Sequence, residues 1–384
     1  MPFEFATAGR IVFGEGAVRE VAPAAVGLGR CALVVTGACQ ERAAPLVAAL
    51  VAAGVRSVPW AVHGEPSVAM VRQGAQFARA EACDLVVAMG GGSALDAGKA
   101  LAALMANTGD PLDYLEVVGR GQPLERTPAP SIAIPTTAGT GSEVTRNAVL
   151  ASPEHRVKAS LRHASMLPRL AVVDPELTLD LPPAVTASTG LDALTQLIEP
   201  YVSTRANAMT DLFCVEGMRR AAGALGRVYA NPHDRDARRE MAWASLLGGL
   251  SLANAGLGAV HGFAAPVGGM FPAPHGAVCA AVLPHAMKVN VEALRRRHPS
   301  SDALRRYDEV ARLLTGRPHA TAEDGVAWTA EICRILEIPS LRTYGVSQDD
   351  VPVLVEKAAK ASSMKANPIV LTPEELGEII AAAV

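Results

Sequence analysis

The strongest constraint on this chain is a continuous apolar run that stops on glycine and passes straight into helix-forming sequence. Asp84 to Met89 (Asp-Leu-Val-Val-Ala-Met) leads directly into Gly90-Gly91-Gly92-Ser93-Ala94-Leu95-Asp96-Ala97-Gly98-Lys99. A run that is apolar at every position, not every second one, suits a parallel strand covered on both faces. Cys31 to Thr36 is another such run, broken by Gly37, and Ser131 to Pro135 and Leu170 to Val173 follow the same pattern. Arg10 to Gly14 and Ser57 to Val62 complete the strands. Between them, Gly16 to Ala25, Arg42 to Ala53 and Ser67 to Ala82 read as helices, the last with Ser67 as N-cap. Strand and helix alternate, which predicts a doubly wound, mostly parallel α/β sheet.

The pattern changes near residue 180. Asp174 to Pro183 holds three prolines and no helical period. Beyond Ala184 no strand is evident, while Met209 to Leu225, Asp236 to Ala255 and Gly325 to Leu336 are helical. Two domains are expected, an α/β domain over 1–180 and an all-helical domain over 181–384. The net charge is -3 with no long basic block, which argues against nucleic acid. The apolar runs are too short to cross a membrane and the first residues do not resemble a secretory signal, so a cytoplasmic protein is expected. Six cysteines without a Cys-x-x-Cys pair read as free thiols in a reducing compartment.

Glycines between a buried strand and a helix let the backbone approach an anion, which the first helical N–H groups and the helix dipole then attract. The loop is neither Gly-x-Gly-x-x-Gly nor a P-loop, since Ala100 follows Lys99. Ser93 and Asp96 also have the spacing of a capping box. Thr136-Thr137-Ala138-Gly139-Thr140-Gly141-Ser142-Glu143 sits at the C-terminal end of the Ser131 strand, the sheet edge where ligands bind. Further on, Asp192 and Gln196 are four residues apart and share one helix face. With His261 and His275 they form a candidate metal set, and one carboxylate with imidazoles suits Fe²⁺ or Zn²⁺.

These blocks, with Asp174-Pro175, Pro284-His285 and Asn367-Pro368, resemble in order the iron-containing (group III) alcohol dehydrogenase family. The resemblance covers essentially the whole chain. It implies a dehydroquinate synthase-like fold, with a dinucleotide-binding α/β domain, a helical domain and an active site in the cleft between them. It implies hydride transfer between NAD(P)H and a small alcohol, aldehyde or ketone, and a homodimer or larger assembly. Carried over by position, Gly91, Gly92 and Ser93 would contact the pyrophosphate, and Asp96 in the same block is a further cofactor-binding candidate. Thr136, Thr137 and Thr140 would line the adenosine and nicotinamide side, and Lys158 would reach a ribose. The family's NAD users tend to place an acid after the first core strand, where this chain has Gly37. Its loss removes a repulsion against a 2′-phosphate, and Arg42 can add positive charge, so NADP(H) is expected to be accepted and its preference is allowed.

Two departures matter. The family's fourth ligand, a histidine, is here Gln196, and a second histidine that serves proton transfer is here Ala265. With a metal, Asp192, His261 and His275 would position a Lewis acid at the substrate oxygen. Without one, as is thought for the related maleylacetate reductases, the Gln196 amide and a protonated His261 or His275 are the available donors to a developing alkoxide. A dehydroquinate synthase-like lyase is a further alternative, but it needs a richly basic pocket. The pairs Arg219-Arg220 and Arg238-Arg239 read instead as solvated helix faces. Phe263, Met270 and Phe271 hint at an apolar substrate pocket.

Overall fold

The computed structural model describes residues 2–384. They divide into two compact units. One comprises Ala6–Thr137 and Gly141–Thr178; the other comprises Leu179–Val384 together with Ala138–Thr140 and the residues before Ala6.

The first unit holds β1 (Ile11–Phe13), β2 (Cys31–Thr36), β3 (Arg56–Ala61), β4 (Leu85–Gly90), β5 (Ser131–Pro135), β6 (Asn147–Ser152), β7 (Val157–Arg162) and β8 (Leu170–Val173). Six strands form one parallel sheet in the order β1-β8-β5-β4-β2-β3. β2 and β4 are buried at every position, as their unbroken apolar sequence requires. Proline lacks a donor, and Pro59 accordingly lies in the edge strand β3.

Helices α1 (Val21–Val26), α2 (Ala44–Ala52), α3 (Val68–Ala80), α4 (Gly92–Ala106) and α5 (Pro111–Tyr114) belong to the same unit. Successive strand residues face opposite ways, so the sheet feeds two apolar cores. Leu33 and Val35 pack with Val71 of α3 and Leu101 of α4, while Val34 packs with Val21 of α1 and Leu50 of α2. The chain runs from β2 out to β3 and returns to β4 on the other side of β2. The winding therefore reverses between β2 and β4, which opens a crevice at their C-terminal ends.

The strands follow the sequence pattern to within a residue or two, and Ser67 caps α3 by accepting from Met70 N at 3.2 Å. The expected helices at 16–25 and 42–53 each begin as a 3-10 turn, at Ala17–Glu20 and Gln40–Ala43. The capping box at Ser93 and Asp96 does not form, because α4 starts at Gly92 with Gly91 in the cap position and no side-chain cap. The antiparallel hairpin β6–β7 was not expected. Its alternating burial belongs to a strand exposed on one face, a pattern too weak to see among the polar residues around it.

The second unit contains α6 (Pro183–Val202), α7 (Ala208–Ala230), α8 (Arg235–Ala255), α9 (Ala259–Met270), α10 (His275–Arg297), α11 (Asp302–Thr315), α12 (Ala322–Ile335), α13 (Val351–Ala359) and α14 (Pro373–Ala383), with no strand among the described residues. α6 is its axis. Every residue from Gly190 to Val202 is buried, against α7, α8 and α10. α10 is long and apolar enough to cross a membrane by composition, but most of it is buried inside the unit. Arg238 corrects the solvated reading of its pair: it is buried and donates to Pro232 O at 2.8 Å and Thr186 Oγ1 at 3.0 Å.

Candidate metal centre and cofactor loop

Three adjacent strands, β5, β4 and β2, end side by side and deliver the cofactor candidates of the first unit. Thr136 follows β5 and its N–H donates to Gly90 O at 2.9 Å. Gly91 lies beside Thr137, and Gly37 follows β2 with open space where a side chain would project. At Gly90 a Cβ would come within 2.6 Å of the Ala94 Cβ, so only glycine lets α4 turn so tightly off the sheet. Gly91, Gly92 and Ser93 therefore form the positive end of α4 at the crevice. Next to Thr36 and Gln40 lies an apolar hollow of about 350 Å³, walled by Val34, Ala44, Val47 and Pro59.

Two expected cofactor residues, Asp96 and Lys158, make polar contacts within the protein. Asp96 Oδ1 accepts from Ser142 Oγ at 2.5 Å and Oδ2 from Val149 N at 2.9 Å. Asp96 thus anchors the segment leading into β6. Lys99 is buried beside it at 3.1 Å and donates to Ser142 O and Thr145 Oγ1, both at 2.9 Å. Burial pushes the Lys99 pKa down from its ordinary value, against the pull of Asp96. Lys158 lies in β7 with its amine 3.0 Å from Glu65. Thr140 is grouped with the helical unit.

In the helical unit, α6 presents Asp192, Gln196 and Glu199 on one face by their spacing of four and three. His261 comes from the first turn of α9, and His275 opens α10. His261 Nε2 lies 3.3 Å and His275 Nε2 3.8 Å from Asp192 Oδ1. The two imidazole centroids are 5.4 Å apart. Cys279, one turn along α10, places Sγ 3.7 Å from His275 Nε2. One ligand atom from each of Asp192, His261, His275 and Cys279 falls within 4.8 Å of all the others.

Glu199 explains how His261 is held. Its Oε2 is 2.7 Å from His261 Nδ1, and its Oε1 accepts from Val260 N at 2.7 Å. Asn367 Oδ1 accepts the neighbouring Ala259 N–H at 3.1 Å. The first N–H groups of a helix lack internal partners, and here two side chains distant in sequence supply them. Gly258 is required for this: a Cβ there would come within 2.8 Å of Asn367 Oδ1 and 2.9 Å of Glu199 Oε1. With the Nδ1 proton assigned to Glu199, Nε2 of His261 faces Asp192.

Both oxygens of Asp192, Oε1 of Gln196 and Nε2 of His261 are buried with no hydrogen-bond partner. Burial works against the Asp192 charge, but His275 and His261 hold its pKa below the ordinary carboxylate value. Burial would depress both histidines. Cys279, Glu199 and Asp192 instead lift His261 well above the usual imidazole value, and Cys279 and Asp192 lift His275 to about 9. An assembly of this kind attracts positive charge.

Three residues of the sequence-derived metal set, Asp192, His261 and His275, meet at one point, and Gln196 lies beside Asp192. Glu199 and Cys279 were outside that set. The spacing of Glu199, two turns after Asp192, carried a signal; that of Cys279 showed only proximity to His275. Phe263 is fully buried and serves the core rather than a substrate pocket. The arginines 219 and 220 pair with Glu216 and Glu240, and do not form an anion site.

The description "Iron-containing alcohol dehydrogenase" matches residues 8–175, and "Fe-containing alcohol dehydrogenase family, C-terminal" matches 186–384. The chain belongs to the iron-containing alcohol dehydrogenase family. Alcohol dehydrogenase 4 of Schizosaccharomyces pombe is 38% identical over 84% of this chain and 74% of its own length. The NAD-dependent methanol dehydrogenase of Bacillus methanolicus is 33% identical over 96% of both. A 1,3-propanediol oxidoreductase of known crystal structure matches with a TM-score of 0.90 at 32% identity, over 100% of each chain. This member of the family is accordingly an alcohol dehydrogenase, an oxidoreductase that transfers hydride. It shares the family's parallel-sheet α/β domain followed by a helical domain.

Proposed function

We propose that this enzyme interconverts a small alcohol and its aldehyde or ketone with the help of one divalent metal, Fe²⁺ or Zn²⁺. Asp192, His261 and His275 would hold the ion, with Gln196 Oε1 beside them. The observation that carries this reading is the set of orphaned buried atoms on Asp192, Gln196 and His261. Leaving such atoms without partners costs about 1–3 kcal/mol each, more for a charged group, so a folded chain retains them where a ligand satisfies them. An acceptor-only carboxylate with imidazole nitrogens is a donor set for a cation. The bound ion would polarise the substrate oxygen as a Lewis acid.

The protein's own groups do the positioning. Glu199 fixes the ring of His261 through Nδ1, and Val260 N–H fixes Glu199 in turn. The N-terminus of α4 at Gly91, Gly92 and Ser93 suits a dinucleotide pyrophosphate, and the hollow beside Thr36 and Gln40 has room for an adenine. Gly37 presents no carboxylate to a 2′-phosphate, which supports use of NADP(H) as well as NAD(H). Arg42 is exposed nearby in sequence and donates to Leu177 O at 3.2 Å. The free cysteines suit a reducing cytoplasm.

The test is metal analysis of protein purified without chelator, followed by NADH and NADPH consumption with a panel of small aldehydes, with and without added Fe²⁺ or Zn²⁺. Activity is expected to track metal content. Full activity in metal-free protein would reject the metal's role, and a catalytic efficiency strongly favouring NADH would reject acceptance of NADP(H).

A further inference from the structure

We infer that Cys279 is a direct ligand of this metal, so that the centre is Asp192, His261, His275 and Cys279, a donor set that favours Zn²⁺ over Fe²⁺. The inference rests on the metal reading above and goes beyond it by replacing the missing imidazole at position 196 with a thiolate from another helix.

Geometry supports it first. Four ligands at the distances usual for Zn²⁺, about 2.0–2.3 Å, form a tetrahedron with edges of about 3.3–3.8 Å. The edges seen here are 3.3 Å from His261 Nε2 to Asp192 Oδ1, 3.8 Å from His275 Nε2 to Asp192 Oδ1, and 3.7 Å from His275 Nε2 to Cys279 Sγ. The remaining pairs lie within 4.8 Å. Cys279 follows His275 by one turn of the same helix, which brings both side chains to the same side of it.

Charge supports it second. With Gln196 in place of an imidazole, Asp192 is the one anion among the three histidine and aspartate ligands. A Cys279 thiolate supplies a second negative charge and balances a divalent ion, while its proton leaves to solvent on binding. Thiolate is a soft donor, which moves selectivity from Fe²⁺ towards Zn²⁺. Cys279 is also fully buried, so its sulfur has little other use beyond packing and the contact to His275. The unpartnered atoms of Asp192 and His261, both more than nine-tenths buried, face the same point.

Co²⁺ is the probe. Metal-free protein titrated with one equivalent of Co²⁺ should show a thiolate-to-cobalt charge-transfer band in the near ultraviolet. The band should persist in Cys83→Ser, which removes a thiol of the separate Cys31–Cys83 pair, and vanish in Cys279→Ser. Zn²⁺ affinity of Cys279→Ser should fall about a hundredfold or more, since loss of even an outer-shell partner costs about 10–100-fold. Should that variant fail to fold, X-ray absorption on the Zn²⁺-loaded natural protein should find a sulfur neighbour at about 2.3 Å. Stoichiometric metal with no sulfur neighbour, or a band that survives in Cys279→Ser, overturns the Cys279 ligand and leaves the metal reading standing. Failure of the natural protein to bind Co²⁺ or Zn²⁺ at all overturns both.

Discussion

Two buried polar clusters in this enzyme invite comparison, because they have similar ingredients and opposite states of satisfaction. In the α/β unit, Asp96 and Lys99 are surrounded by Ser142, Thr145 and the Val149 N–H, and both Asp96 oxygens and the Lys99 amine have partners. In the helical unit, buried atoms of Asp192, Gln196 and His261 lack a well-formed hydrogen bond, with only the 3.3 Å approach of His261 Nε2 to Asp192 Oδ1 between them. A closed cluster serves the fold. An open one implies something to be bound. Asp96, grouped with the cofactor loop from the sequence, belongs to the first kind.

The comparison breaks most directly at Asp192. Asp192→Ala should remove the bound metal and lower kcat/KM about a thousandfold, near 4 kcal/mol of transition-state stabilisation. Kinetics and metal content at unchanged circular dichroism check this, and retention of both would show the open cluster to be structural after all. The closed cluster should respond the other way. Lys99→Met removes the buried cation beside the part-buried Asp96 and should lower unfolding stability by about 2 kcal/mol in urea while leaving metal content alone. An unchanged urea midpoint would remove the contrast.

Smaller effects sharpen it. Glu199→Gln should weaken metal binding about 10–100-fold in competition with a chelator, because His261 loses the carboxylate that orients it. Gln196→His should raise Zn²⁺ affinity by about tenfold, by adding an imidazole donor beside Asp192. The gentlest probe is pH. Burial raises the Glu143 carboxyl to about 7, whereas the unfolded chain releases that proton in the ordinary carboxylate range. The folded state therefore binds more protons between these limits. Its contribution to stability is fullest at acid pH and declines as pH rises towards about 7. Glu143→Gln should flatten that part of the stability profile; an unaltered slope would place its origin elsewhere.

The parallel sheet was legible because unbroken apolar runs such as Cys31–Thr36 and Leu85–Gly90 have few alternatives to a doubly covered strand. The β6–β7 hairpin was not, since half of each strand is solvent-facing and its sequence resembles a polar loop. At the metal centre, Asp192 and Gln196 were readable from helical spacing. Their meeting with His261, His275 and Cys279 depends on how α6, α9 and α10 pack, which no local pattern encodes. Asn367 was visible as a motif residue and Glu199 carries only its helical spacing from Asp192, but their action on the first turn of α9 required tertiary structure. The commitment of Asp96 and Lys99 to the fold was equally hidden, because their partners lie more than forty residues away.

The cap on α9 has a consequence for how the enzyme is made. Asn367 lies 108 residues beyond Ala259, yet it secures the helix that carries His261. During synthesis the ribosome must deliver that further length of polypeptide before the helix acquires its full complement of partners. Seating of His261 thereby waits on Asn367, so a product cut short before that residue would be expected to lack a properly held imidazole rather than to work at reduced rate.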